Sequence, residues 1–256
     1  MYKEEYTGIM SIKDSIRIVL VGTQHPGNIG SAARAMKTMG LNNLVLVAPK
    51  RYPDPEAIAL AAGADDLLSQ AMVVSSLAEA LEGCTYVIGT SSRARSVALP
   101  ELTPRQASEQ LVLKSMQSTV ALLFGPERTG LENEDLQHCQ ACVLIPCNPE
   151  YASLNLASAV QVLSYEIRLQ QLQNKLISSP VTKLPDSILA SHDQMERFFV
   201  HLSEFMNQVD FHKGKPSELV IQRLRRLFLR AEMDEREIKI IRGLLSDAQR
   251  LLHQKR

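Results

Sequence analysis

Phe124-Gly125-Pro126-Glu127-Arg128-Thr129-Gly130-Leu131 ends an apolar run at 120–124 and turns it sharply. Consecutive apolar residues bounded by turn formers read as a buried strand, and Gly125 and Gly130 free the chain to reverse after it. A second short apolar run, 141–145, ends in Ile145-Pro146. Tyr151-Ala152-Ser153-Leu154-Asn155-Leu156-Ala157 then opens a helical pattern predicted over 153–176. Two strand-end loops this close in sequence, rich in Gly, Pro, Asn and Ser, can offer many backbone N–H and C=O groups to one ligand. The turn Gly22-Thr23-Gln24-His25-Pro26-Gly27-Asn28-Ile29-Gly30, which leaves the first apolar run, supplies a third wall.

The same pattern extends outward along the chain. Apolar runs predict strands at 16–21, 44–47, 71–74 and 86–89, and helical spacing predicts helices at 28–40, 55–62, 77–81 and 103–116. Alternating strands and helices joined by short turns imply an α/β fold: a mostly parallel sheet with helices on both faces. After residue 176 the character changes. Two prolines in 177–185 mark a linker, and 186–208, 217–229 and 234–253 carry helical patterns with no strand signal. The expected organisation is therefore an α/β domain at 1–176, a linker at 177–185 and a three-helix domain at 186–256.

With 45% hydrophobic and 22% charged residues the 256-residue chain has an ordinary globular composition. No apolar run approaches the ~20 residues of a membrane span. Met1-Tyr2-Lys3-Glu4-Glu5-Tyr6 shows no secretory signal, so a cytoplasmic location is expected. Net charge is zero, but residues 175–256 hold 15 Lys and Arg against 11 Asp and Glu. A basic tail on a slightly acidic body is compatible with a polyanionic partner docking on one side. Cys139 and Cys142 form a lone C-x-x-C after His138; a structural zinc usually needs two such pairs, and no metal is expected.

Two nucleotide-binding readings fail together. Gly22, Gly27 and Gly30 do not give the G-x-G-x-x-G of a dinucleotide fold, and the second strand ends in Ala48-Pro49 where such a fold places an acid. No G-K-[ST] follows the turn, which excludes a phosphate loop.

Three segments together resemble another family. Asn28-Ile29-Gly30-Ser31-Ala32-Ala33-Arg34, Phe124–Leu131 and the stretch from Ile145 to Ala157 are similar, in order and separation, to the three motifs of the SPOUT class of RNA methyltransferases, and specifically its TrmH-like 2′-O-methyltransferases. The resemblance implies a trefoil knot in the last third of the catalytic domain, a homodimer, and S-adenosyl-L-methionine as cofactor. It implies a cofactor site at Thr90, Ser91, Ser92, Gly125, Ile145, Ser153 and Leu154, and a catalytic set of Arg34, Asn28, Glu127 and Ser153. Gly125, lacking a Cβ, would allow close backbone approach. Glu127 is expected to hold either Arg34 or Asn28, and Asn155 to cap the helix that follows. The similar enzymes methylate cytidine or uridine 32 of the tRNA anticodon loop. Ribosomal RNA, or RNA binding without catalysis, are the alternatives. Arg93 and Arg95, beside a cofactor loop, and Arg223, Arg225, Arg226 and Arg230 in the tail are the expected RNA contacts.

Overall fold

The computed structural model describes residues 15–91, 99–176, 188–211 and 217–254. Its strands are β1 (Ile16–Val21), β2 (Asn43–Val47), β3 (Met72–Val74), β4 (Cys84–Ser91), β5 (Glu101–Leu102), β6 (Thr119–Phe124) and β7 (Ala141–Leu144). They form one sheet in the order β3-β2-β1-β6-β4-β7-β5, with every pairing parallel.

Strand residues alternate between the two faces, and here both faces are apolar. Ile16, Ile18 and Leu20 join Leu44, Leu46, Val120, Leu122 and Phe124 in one buried cluster, whereas Val19, Val45, Ala121 and Leu123 belong to the opposite one. Register lines up Val45, Val19, Leu123 and Gly89 across four neighbouring strands. Gly89 is the gap in that row. Leu136, Cys139 and Leu131 fill it: a Cβ there would stand 2.8 Å from Leu136 and 3.0 Å from the Cys139 sulfur.

The helices are α1 (Pro26–Thr38), α2 (Pro55–Ala61), α3 (Asp65–Gln70), α4 (Leu77–Ala80), α5 (Pro104–Ser115), α6 (Asn133–Leu136), α7 (Leu156–Leu176), α8 (His192–Gln208), α9 (Ser217–Arg230) and α10 (Glu235–Gln254). They are distributed unevenly. The cluster containing Ile18 takes buried residues from α1, α2, α3, α5 and α7, while the other face receives the short α4 and α6. The α1–α2 crossing is close because Gly30 faces the Ala57 carbonyl; a Cβ at Gly30 would lie 2.0 Å from that oxygen.

Helix boundaries differ from the sequence expectation where caps decide them. The last helix of the α/β part starts at Leu156, not 153, because the Asn155 side chain accepts from the N–H groups of Ala157 (2.9 Å) and Ser158 (3.3 Å). Similarly, α8 starts at His192, where Ser191 and Gln194 form a reciprocal capping box. α3, α6 and the two-residue β5 are additional to the expected elements. Helices α8 to α10 have their own core around Phe198, which meets Phe228 edge-to-face at 4.9 Å. They contact the sheet-bearing part through Lys114, which binds Glu232 (2.6 Å) and lies over the Tyr86 ring. No helix among the described residues is long and apolar enough to cross a membrane.

Candidate active site

Strands β6, β4 and β7 are consecutive in the sheet and parallel, so their carboxyl ends share one edge. That geometry gathers loops far apart in sequence into one place, the usual position for a site in open α/β sheets. A groove of about 800 Å³ lies there. Thr90 and Ser91 from β4, Gly125 to Gly130 after β6, and Ile145, Cys147 and Ala152 to Leu154 after β7 all line it. Six expected cofactor residues (Thr90, Ser91, Gly125, Ile145, Ser153 and Leu154) therefore meet in one groove. Ser92, Arg93 and Arg95 lie outside the described residues.

The loop after β6 is held tightly. Gly130 has φ +66° and donates its N–H to the Pro126 carbonyl at 2.8 Å, while Leu131 is buried against Gly89. Gly125 is needed for this fold-back. A Cβ on it would sit 2.1 Å from the Leu131 nitrogen, so the close approach predicted for a ligand is made by the chain's own loop. Pro126 faces the first turn, 3.2 Å from where a Cβ on Gly22 would lie.

Glu127 joins the motifs. Its carboxylate accepts from the backbone N–H groups of Gln24 (3.0 Å) and His25 (3.1 Å) and from Asn28 Nδ2 (2.8 Å). Asn155 Nδ2 in turn donates to Asn28 Oδ1 at 3.0 Å. One chain of polar contacts thus runs from the β6 loop through α1 to the start of α7. Partial burial pushes the Glu127 carboxyl upward, but the donors from Asn28, Gln24 and His25 outweigh it and hold its pKa below the ordinary carboxylate value. Between the two partners offered for Glu127, the structure selects Asn28.

Arg34 is different. It lies on α1, is exposed, and is absent from the residues that line the groove. Asn28 and Arg34 are six residues apart, about 9 Å along a helix axis. Ser153 is exposed at the groove. In the tail, Arg223 and Arg230 are exposed, and Arg226 and Arg230 line a cavity of about 270 Å³ shared with Leu99, Pro100 and Gln140. Arg225 departs from the expectation: it pairs with both oxygens of Glu196 and lies 4.4 Å over the Phe199 ring. It is committed to packing.

Glu132 and Glu134 were not among the expected site residues, yet among the described residues both line the groove with Glu127, beside the basic Arg128. The acidic surplus and the apolar contacts of Phe124, Ile145, Leu154 and Leu156 suit a ligand with an aromatic part and positive charge. S-adenosyl-L-methionine, with an adenine, a sulfonium and an ammonium group, fits that description.

The profile of the SpoU rRNA Methylase family matches residues 15–165. A second, that of the tRNA methyltransferase TrmJ C-terminal domain, matches residues 193–256. This chain belongs to the SpoU methylase family and is a methyltransferase of the SPOUT fold. It is 49% identical over 238 residues to the tRNA (cytidine/uridine-2′-O-)-methyltransferase TrmJ of Photorhabdus laumondii, covering 93% of this chain and 98% of that one. The TrmJ of Yersinia enterocolitica is 45% identical over 236 residues, 92% of each. The crystal structure of TrmJ from Z. mobilis ZM4 superposes with a TM-score of 0.79 at 35% identity, covering 91% of this chain and 98% of that one.

Proposed function

We propose that this chain methylates the 2′-hydroxyl of a ribose in tRNA, at cytidine or uridine 32 of the anticodon loop, using S-adenosyl-L-methionine and working as a homodimer. The observation that carries the reading is the Glu127–Asn28–Asn155 chain, which fastens three motif loops beside a groove of cofactor size. The substrate class rests on the curated relatives and on helices α8 to α10, whose matching profile is that of a tRNA enzyme. The trefoil knot belongs to the same proposal, with the loops after β4, β6 and β7 as its crossings.

When bound, the cofactor supplies a methyl group already activated by a sulfonium. Thr90, Ser91, Ile145, Ser153 and Leu154 hold it, and the carboxylates of Glu127, Glu132 and Glu134 favour its positive charge. The protein must then align the hydroxyl and let its proton leave. Glu127 is a poor proton acceptor, since its pKa is lowered and three donors already face it. Its role is to fix the Asn28 amide. Arg34 is also a poor base, because a guanidinium titrates above ~12. Its forked donors orient the ribose and an adjacent phosphate, and the proton departs through phosphate or water. Arg223, Arg226 and Arg230 add phosphate contacts from the tail, and Arg93 and Arg95 from the loop after β4.

Incubating the protein with labelled cofactor and either purified tRNA or ribosomal RNA, then mapping the modified nucleoside, tests the proposal. Label at ribose 32 of tRNA is expected. Label confined to ribosomal RNA overturns the substrate, and cofactor and RNA binding without transfer would show a binding protein.

A further inference from the structure

We propose that His138, His192 and Glu196 form a binding site for one divalent transition-metal ion, zinc first, that clasps the sheet-bearing part of the molecule to its C-terminal helices. Their ligand atoms form a small triangle. His138 Nδ1 and His192 Nε2 are 3.1 Å apart, and Glu196 Oε1 is 3.7 Å from the first and 3.6 Å from the second. Zinc–ligand bonds of ~2.0–2.1 Å in a tetrahedron place neighbouring donors ~3.3 Å apart. The three donors stand close to that spacing without any ion.

The backbone explains why they meet. His138 follows α6 in a turn closed by its N–H to the Asp135 carbonyl (3.2 Å). His192 and Glu196 are four residues apart at the start of α8, hence on one helix face. Two imidazoles and a carboxylate are a donor set that zinc accepts in three-ligand sites with an open fourth position. A cavity of about 370 Å³, lined by His138, Glu196, Ser203, Glu218 and Arg225, adjoins two of the three ligands. It has room for a water.

Arg225 is the feature that opposes a cation, since it pairs with both Glu196 oxygens. A carboxylate oxygen has two lone pairs, so Glu196 Oε1 can serve the ion and Arg225 together, with Arg225 holding the carboxylate in place. The thiols are not the donors. The Cys139 sulfur is buried against Gly89 and Leu136 and bonds toward the Asp135 carbonyl (3.7 Å). An ion here would link chain segments 54 residues apart and stabilise their docking by mass action.

The test uses the full chain, stripped with a chelator, desalted and titrated with zinc chloride. One zinc per chain by elemental analysis, a Tm that rises with zinc, and a visible spectrum of low-symmetry cobalt on Co²⁺ loading are expected. His138→Gln and His192→Gln should each weaken zinc binding by at least ~100-fold, judged against the cost of losing even an outer partner. Circular dichroism of each variant checks that it folds. Less than one zinc per wild-type chain, or equal zinc binding by a folded H138Q/H192Q double variant, overturns the proposal. The wild-type stoichiometry decides the matter alone if the variants do not fold.

Discussion

Asn155 Nδ2 donates to Asn28 Oδ1 at 3.0 Å, a contact between residues 127 positions apart in the chain. The same Asn155 caps α7 through its Oδ1. One side chain therefore both starts a helix and fixes the amide orientation of a motif residue. The two roles separate by substitution. Asn155→Asp keeps a cap acceptor but turns an oxygen toward Asn28 Oδ1, so Tm should hold while methyl transfer falls by up to roughly 10-fold, as for a ~1 kcal/mol loss of one hydrogen bond. Asn155→Ala should in addition cost about 1 kcal/mol of stability. Thermal melts and initial rates on the two variants, with equal rates for Asn155→Asp and wild type, would remove the positioning role.

Glu127→Gln exchanges one acceptor oxygen for an NH₂, which then faces one or two of the three donors. An unmet donor costs ~1–3 kcal/mol, so transfer should fall by roughly 10–100-fold. A pH dependence follows from the lowered pKa of Glu127. A carboxyl whose folded pKa lies below its unfolded value adds stability that is present above the unfolded pKa and lost as pH falls through the folded one. The Tm difference between wild type and Glu127→Gln should be flat from neutral pH down to the ordinary carboxylate range and shrink below it. A difference that grows on acidification would contradict the hydrogen-bonded carboxylate.

Gly30 and Gly125 sit in their motif segments for reasons of packing within the chain. A methyl at Gly30 meets the Ala57 carbonyl at 2.0 Å, so Gly30→Ala should destabilise by about 1–3 kcal/mol through forced separation of α1 and α2. Gly125→Ala meets Leu131 N at 2.1 Å and must open the β6 loop. Calorimetric titration of cofactor should show weaker binding for Gly125→Ala and little change for refolded Gly30→Ala. Unchanged binding at both would mean that the loop is not a wall of the cofactor site.

The sheet was legible because its central strands are mostly apolar runs ending at Gly22, Pro49 and Gly125. β5, α3 and α6 were not, since none has a run of apolar residues with a turn former to close it, as Gly83 closes the equally short α4. The loss of α6 hid Glu132 and Glu134, which reach the groove only because that turn stands beside it. Arg225 misled for a related reason. Sequence records its charge, while Glu196 and Phe199, the groups that hold it, lie on another helix. The meeting of Glu127 with Asn28 was offered beside Arg34, and only the parallel order of β1 and β6 decides between them.

If the tail arginines grip phosphates, their loss should weaken tRNA binding with little regard to base sequence. Arg223→Ala/Arg230→Ala removes two exposed charges from α9. The slope of log affinity against log salt should fall by roughly two. An unchanged slope would place the RNA elsewhere.

Arg34 gives the sharpest test of the assembly. It is exposed and, unlike Glu127, does not line the groove, so either its own chain or a second copy can present it to the site, and the two arrangements give different results. Arg34→Ala should be nearly inactive and Glu127→Gln reduced by roughly 10–100-fold, with melting curves close to wild type for Arg34→Ala because it contacts little. Mixing the two after co-expression then distinguishes the arrangements. If Arg34 acts across a two-fold interface, half of the mixed population is heterodimeric, and each such dimer has one site with both residues intact. Activity should recover to about a quarter of wild type. If Arg34 serves the groove of its own chain, every site in the mixture lacks one of the two groups, and the rate stays at the level of the single variants.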